Sequence, residues 1–261
     1  MHEKLMHECN CTITLTYNDE HLPKDYSLNY QHYQAFMKKL RKQRNRDYNK
    51  YAAVQHSAKK IENLRFYMGG EYGDLYGRPH YHAALFGVDF NDKIYYKMSP
   101  AGFKLYTSET LTRLWGRGFA AVAELTFESA AYIARYIMKK RTGDGNKKYY
   151  EIINIETGEI QLRRKEFNQM SRRPGIGAKW LEKYEGDAYP QGKIVINGHE
   201  QNPPRYYDKI WAEKEPEKWE EIQYNRYKEG MKYITERTPE RLKVQEQVQA
   251  ARTKTLRRTL A

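Results

Sequence analysis

Within residues 70–87 two strand-like runs flank a turn between Gly73 and Gly77. The run after Pro79 places alternate side chains on opposite faces, so His80 and His82 project together while Tyr81 points away. Residues 64–72 form the other run, and a hairpin closed by that turn brings Glu71 opposite His80 on the same face. Two imidazoles and a carboxylate converging in this way can hold one divalent cation. A His-x-His pair alone fits equally well with two buried, hydrogen-bonded histidines of structural purpose. It is the carboxylate across the hairpin that favours the metal reading.

The remaining constraints come from length and charge. With 261 residues the chain is long enough to bury a core without covalent staples. Its two cysteines, Cys9 and Cys11, are too close on an extended segment to bridge easily, which fits a reducing, intracellular setting. No apolar run approaches membrane-spanning length, and the residues from Met1 to Lys4 do not read as a signal peptide, so a membrane partner is not expected. The 46 Lys and Arg against 33 Asp and Glu give +13, and 24 tyrosines lie among the bases. A polyanionic partner follows from that balance, although a solvated basic surface would give the same total. Residues 1–204 hold 32 of the bases and 23 of the acids, so +9 lies in the part that contains the histidines.

In chain order, residues 11–17 alternate apolar and hydroxyl side chains and read as a half-buried strand with threonines on its second face. Residues 29–46 carry Tyr30, Tyr33, Phe36, Met37 and Leu40 at helical spacing, with a basic end from Lys38 to Arg46. Residues 89–102 read as turn-rich, residues 108–115 as a short helix stopped by Gly116, and residues 119–125 as a buried strand. A helix is predicted over residues 128–140, with acid at its start and base at its end, as the helix dipole favours. Residues 149–155 and 159–162 suggest a hairpin, and residues 171–177 a glycine-containing basic loop. Residues 193–197 suggest a late strand, and charged helices follow Pro204. Phosphate contact is assigned by charge to Lys38, Arg41, Arg172 and Arg173.

On the helix over residues 128–140, Tyr132 and Tyr136 stand at i and i+4 and share a face, with Lys139 and Lys140 one turn further on. A phenol becomes a useful nucleophile once a nearby cation stabilises its anion. Two tyrosines at this spacing also serve simply to pack a helix on a sheet.

Taken together, residues 14–17, 70–73, 78–87 and 132–140 resemble, in order and spacing, the three motifs of the HUH rolling-circle endonucleases, and in particular the replication initiators of gokushovirus-type microviruses. The resemblance spans about residues 8–185 and departs from the usual pattern in having Tyr81 between the histidines. It implies an α+β fold with a central antiparallel sheet of about five strands, an endonuclease domain over residues 1–200 and a charged helical arm over residues 201–261. It also implies a nickase that cuts one DNA strand at an origin, stays on the 5′ phosphate through tyrosine, and rejoins the strand after replication. His80, His82 and Glu71 would then hold Mg²⁺ or Mn²⁺, Tyr132 and Tyr136 would attack in alternation, and Lys139 and Lys140 would assist. Thr16, Tyr17, Arg78 and Arg135, which lie in the matching motifs, would touch DNA. Implied partners are single-stranded origin DNA, presented in a hairpin, and a host helicase or polymerase in the bacterial cytoplasm. Two other readings stay open at this point. One is a non-catalytic module that stacks single-stranded nucleic acid; the other is a hydrolase or oxygenase built on two histidines and one carboxylate, which gives the paired tyrosines no task.

Overall fold

The computed structural model of the chain describes residues 1–55, 63–73, 76–100, 102–135, 147–153 and 158–255. Contacts divide it into two compact units, Met1–Ile176 and Gly177–Arg258; the boundary at residue 200 suggested by charge and the resemblance lies within the second. The first unit opens with α1 (His2–Leu5), β1 (Asn10–Thr16) and α2 (Tyr30–Gln55), followed by the hairpin β2 (Arg65–Tyr72) and β3 (Pro79–Phe86). Then come β4 (Ile94–Met98), β5 (Lys104–Thr107), α3 (Glu109–Trp115), β6 (Ala120–Glu124) and α4 (Phe127–Arg135). The unit closes with α5 (Lys147–Tyr150), β7 (Glu151–Ile153), β8 (Ile160–Leu162) and β9 (Phe167–Met170).

Seven strands form one antiparallel sheet in the order β4-β5-β6-β1-β3-β2-β9, so the class is α+β with seven strands where about five were expected. Two of the additions, β4 and β5, fall in or beside the region that reads as turn-rich, and β9 follows a basic run that carries no strand pattern. Strand β1 is buried on both faces rather than half-buried, because it lies between β6 and β3 with helices on either side. Tyr149 and Tyr150 belong to the helical turn α5 instead of the predicted strand, and β7 pairs β8 as a separate hairpin.

Strand alternation sorts the core. Ile13, Leu15, Tyr81, Ala83 and Leu85 face α2 and meet Tyr33, Phe36, Met37 and Leu40. Each such burial contributes about 1.5–3 kcal/mol. The Tyr33 ring lies 5.9 Å from that of Tyr81, and the Phe36 ring 6.3 Å from that of Trp115 on α3. α3 itself is held at its start by Ser108, whose hydroxyl accepts from the Leu111 amide at 3.0 Å, and is ended by left-handed Gly116. The opposite face of the sheet carries Ala84 and Phe86, which pack against Tyr132 and Ile133 of α4. α2 runs to Gln55, beyond the predicted end at residue 46.

One glycine fixes how the chain enters β6. Gly118 has φ +139, and a Cβ there would lie 2.3 Å from the Asn18 amide nitrogen and 2.5 Å from the Thr16 carbonyl oxygen. Those atoms are backbone and cannot swing aside. Gly118→Ala is therefore expected to lower stability by at least about 2 kcal/mol, read as a fall in thermal midpoint; a midpoint unchanged from the parent would show that the β1 to β6 entry tolerates a side chain.

The second unit contains α6 (Ala178–Lys183), the hairpin β10 (Ile194–Ile196) and β11 (His199–Gln201), then α7 (Arg205–Lys214), α8 (Pro216–Met231) and α9 (Pro239–Thr255). Its small core stacks Tyr189 on Trp211 at 4.7 Å and Trp180 on Tyr207 at 5.9 Å. Asp208 joins these elements, accepting from the Tyr189 hydroxyl and from Arg226, each at 2.8 Å.

Candidate metal centre

The hairpin register pairs Glu71 with His80, and Gly69 with His82. On the other side of β3, His80 pairs Thr16 and His82 pairs Thr14. All these partners share one face, opposite to Tyr81. The Glu71 Oε1 atom lies 2.7 Å from His80 Nε2 and 3.3 Å from His82 Nε2. Among the described residues, Glu71, His80 and His82 are the one group of three or more His, Cys, Asp or Glu side chains whose ligand atoms converge, all within 4.8 Å of one another. Neighbouring ligands around a cation with bonds of about 2.1 Å stand about 3 Å apart, so the separations to the carboxylate suit such an ion.

The far nitrogens are held as ligating histidines require. His80 Nδ1 donates to the Arg78 carbonyl at 3.1 Å, and that acceptor leaves Nε2 as the atom free to meet a cation. His82 Nδ1 lies 3.0 Å from the Thr14 hydroxyl in a buried contact. Burial alone would raise the Glu71 carboxyl, yet hydrogen bonds from His80 and then His82 outweigh it and bring it down to about 2. The carboxylate is thus anionic at neutral pH in a site whose other two members are bases. Glu71 and His82 are buried, and His80 is the partly open member.

Thr14 is not among the candidate site residues that the sequence singles out. The pairing that puts Glu71 opposite His80 also puts Thr14 opposite His82, so one further step along the register would have found it. Thr14→Val keeps the shape and removes the hydroxyl. It is expected to weaken Mn²⁺ binding about tenfold to a hundredfold by calorimetry with the fold retained; parent-like affinity would show that Thr14 does not orient His82.

Tyr132 of α4 lies beside this group. Its ring is buried and meets the His82 ring edge-on, with centroids 5.8 Å apart. Arg135, one turn further along α4, is half-buried. Tyr136, Lys139 and Lys140 lie outside the described residues.

The other expected DNA contacts are scattered. Thr16 shares the face of the histidines, next to His80. Tyr17 is corrected to a core residue: it is 2% exposed, and its hydroxyl bonds the Tyr81 hydroxyl at 2.9 Å and His32 Nδ1 at 2.8 Å. Arg78 is held by the Tyr17 carbonyl and by Asp19. Lys38 and Arg41 are exposed on α2, the helix that covers the opposite face of the sheet. Arg172 and Arg173 are exposed beyond the end of β9, where the Ser171 amide donates to the Phe66 carbonyl, about 20 Å along the strand direction from Glu71. The structure therefore gathers Glu71, His80, His82, Thr16 and Tyr132, and leaves the arginines of residues 172–173 and the bases of α2 elsewhere.

An antiparallel sheet presenting two histidines and a carboxylate beside a tyrosine-bearing helix defines a candidate metal centre on an α+β scaffold. The family model for the ORF2-type replication-associated protein matches residues 10–141, a span that takes in β1, the hairpin and α4. The chain belongs to that family. It is 34% identical over 226 residues to replication-associated protein VP4 of Bdellovibrio phage phiMH2K, covering 84% of this chain and 63% of the relative. It is 27% identical over 238 residues to replication-associated protein ORF2 of Spiroplasma virus 4, covering 88% and 65%, and 31% identical over 211 residues to replication-associated protein ORF4 of Chlamydia phage 1, covering 78% and 46%. The chain thus spans less than two thirds of each of these relatives. No solved structure matches it. The resemblance to phage replication proteins read from the motifs is met by these relatives, and no described helix is long and apolar enough to cross a membrane.

Proposed function

We propose that this protein is a rolling-circle replication initiator that nicks one DNA strand at a phage origin, remains joined to the 5′ phosphate through tyrosine, and later rejoins the strand. The observation that carries this reading is the placing of Tyr132 against His82, a member of the one convergent Glu/His/His group among the described residues. The membership in a family of replication-associated proteins supports it.

His80, His82 and Glu71 would hold the cation, and the mixture of imidazoles and carboxylate with a phosphate-oxygen substrate favours Mg²⁺ or Mn²⁺. When bound, such an ion supplies Lewis-acid polarisation of the scissile phosphate. The chain supplies the rest. A phenol oxygen of Tyr132 or Tyr136 attacks phosphorus, the bond to the 3′ oxygen breaks, and the proton lost by the phenol is balanced by one taken up on the departing 3′ hydroxyl. The phosphodiester is exchanged for a phosphotyrosine ester, so no nucleotide is consumed. A second phenol allows the reverse exchange, with a strand end displacing the first tyrosine while the other holds a new 5′ phosphate. Lys139 and Lys140 would stabilise the phenolates. Single-stranded origin DNA, presented in a hairpin, is the substrate, and the exposed 3′ hydroxyl passes to host polymerase and helicase in the cytoplasm of the bacterial host. Residues 1–200 serve as the endonuclease domain and residues 201–261 as an accessory arm.

The reading is tested by incubating the protein with labelled single-stranded fragments tiling the cognate phage genome. One fragment should be cut at one position in Mn²⁺ and left intact in EDTA; cleavage of every fragment alike, or none in Mg²⁺ and Mn²⁺, would contradict an origin-specific nickase.

A further inference from the structure

The face that carries the histidines continues past Thr16 to an exposed aromatic edge. The Thr16 amide donates to the Phe119 carbonyl at 2.9 Å, extending the β1–β6 ladder by one pair, so Phe119 shares the face of Thr16 and His80. Two strand spacings separate Phe119 from His80, about 10 Å. Phe119 is 43% exposed although it belongs to the most hydrophobic class of side chains. The ring of Tyr96, on the edge strand β4 and 50% exposed, lies 5.5 Å from it. Lys97 places its ammonium 5.5 Å from the centre of the Tyr96 ring. Ile94, opposite Thr107, extends the same face to the rim and is 71% exposed. Residues 93–119 contain five Lys or Arg and one Glu. Every residue of β4 is exposed, so these rings form an apolar surface that the described fold leaves uncovered.

A surface of exposed rings, interleaved with cations and continuous with a phosphate-directed site, matches unpaired nucleotides better than it matches an apolar protein partner, whose contact would bury Lys97 without a counter-charge. We infer that Phe119 and Tyr96 are a stacking platform that receives bases of the single strand on its way to or from the metal centre, with Lys97 beside the backbone phosphate. The inference rests on the single-stranded DNA substrate of the reading above. Stacking tolerates any base, so this surface would hold the strand without reading its sequence. Origin choice would then reside elsewhere.

The test is fluorescence anisotropy with a labelled dT 20-mer and the full chain in EDTA, a condition in which neither the cation nor tyrosine chemistry contributes. Phe119→Ala and Tyr96→Ala should each weaken binding at least about fivefold, and the pair more than either, whereas Tyr96→Phe should bind like the parent. Lys97→Ala should lower the slope of log affinity against log salt by about one. Loss of binding in the alanine variants supports the platform even if the parent cleaves no origin fragment, so the two readings fail separately. Parent-like affinity in the double alanine variant overturns it. So does a double variant that binds dT normally but turns a dimer into a monomer in sedimentation, since the edge would then belong to a second copy of the chain.

Discussion

His80→Ala is expected to reduce strand cleavage by at least about a thousandfold, equivalent to about 4 kcal/mol of transition-state stabilisation, while salt-sensitive DNA binding is retained. The loss follows from geometry: Nε2 of His80 lies 2.7 Å from Glu71, and without it two ligands remain for the cation. His82→Ala should abolish cleavage as well, but it is the less clean experiment. His82 is 2% exposed and bonded to Thr14, so its removal opens a buried polar gap worth about 1–3 kcal/mol of stability, whereas His80 is partly open to solvent. A thermal melt of each variant separates the two effects. Cleavage by the double variant at the parental rate in EDTA would remove the metal centre from the account.

The second large effect concerns the tyrosines. Tyr132→Phe preserves the ring that packs edge-on against His82 and removes only the oxygen, so loss of activity cannot be ascribed to a cavity. Each single Phe variant should retain some nicking, because the other phenol can attack. The double variant of Tyr132 and Tyr136 should form no covalent product, a loss of all turnover. If one single variant already loses all nicking, the tyrosines do not alternate and only the residue lost is the nucleophile.

How far these features could be read in advance depended on which physical signal carried them. The short turn fixes the hairpin register, so the opposition of Glu71 and His80 was legible, and the period of two placed His80 and His82 together. The same period, followed through Ile13 and Leu15, puts Tyr17 on the core side, and its assignment to DNA neglected this alternation. β4 was hidden because its five residues are all exposed on an edge and flanked by Asn91, Asp92, Ser99 and Pro100, so neither alternation nor an apolar run marks it. β9 was hidden for a similar reason: its four residues are partly exposed at the other edge, directly after a basic run. The continuation of α2 to Gln55 lacks the apolar spacing that marked its first half. Charge located bases but not the face they serve. Lys38 and Arg41 flank the stripe that packs on the Tyr81 side, and nothing in the sequence of α2 tells which side of the sheet that is.

The most direct test of the central claim is intact-protein and peptide mass measurement after reaction with the cleaved genomic fragment in Mn²⁺. The account predicts a protein carrying the mass of the 5′ product, located on the peptide that contains Tyr132 and Tyr136, and no such species in EDTA. A cleaved strand with no attached protein, or an adduct on any other residue, would contradict it.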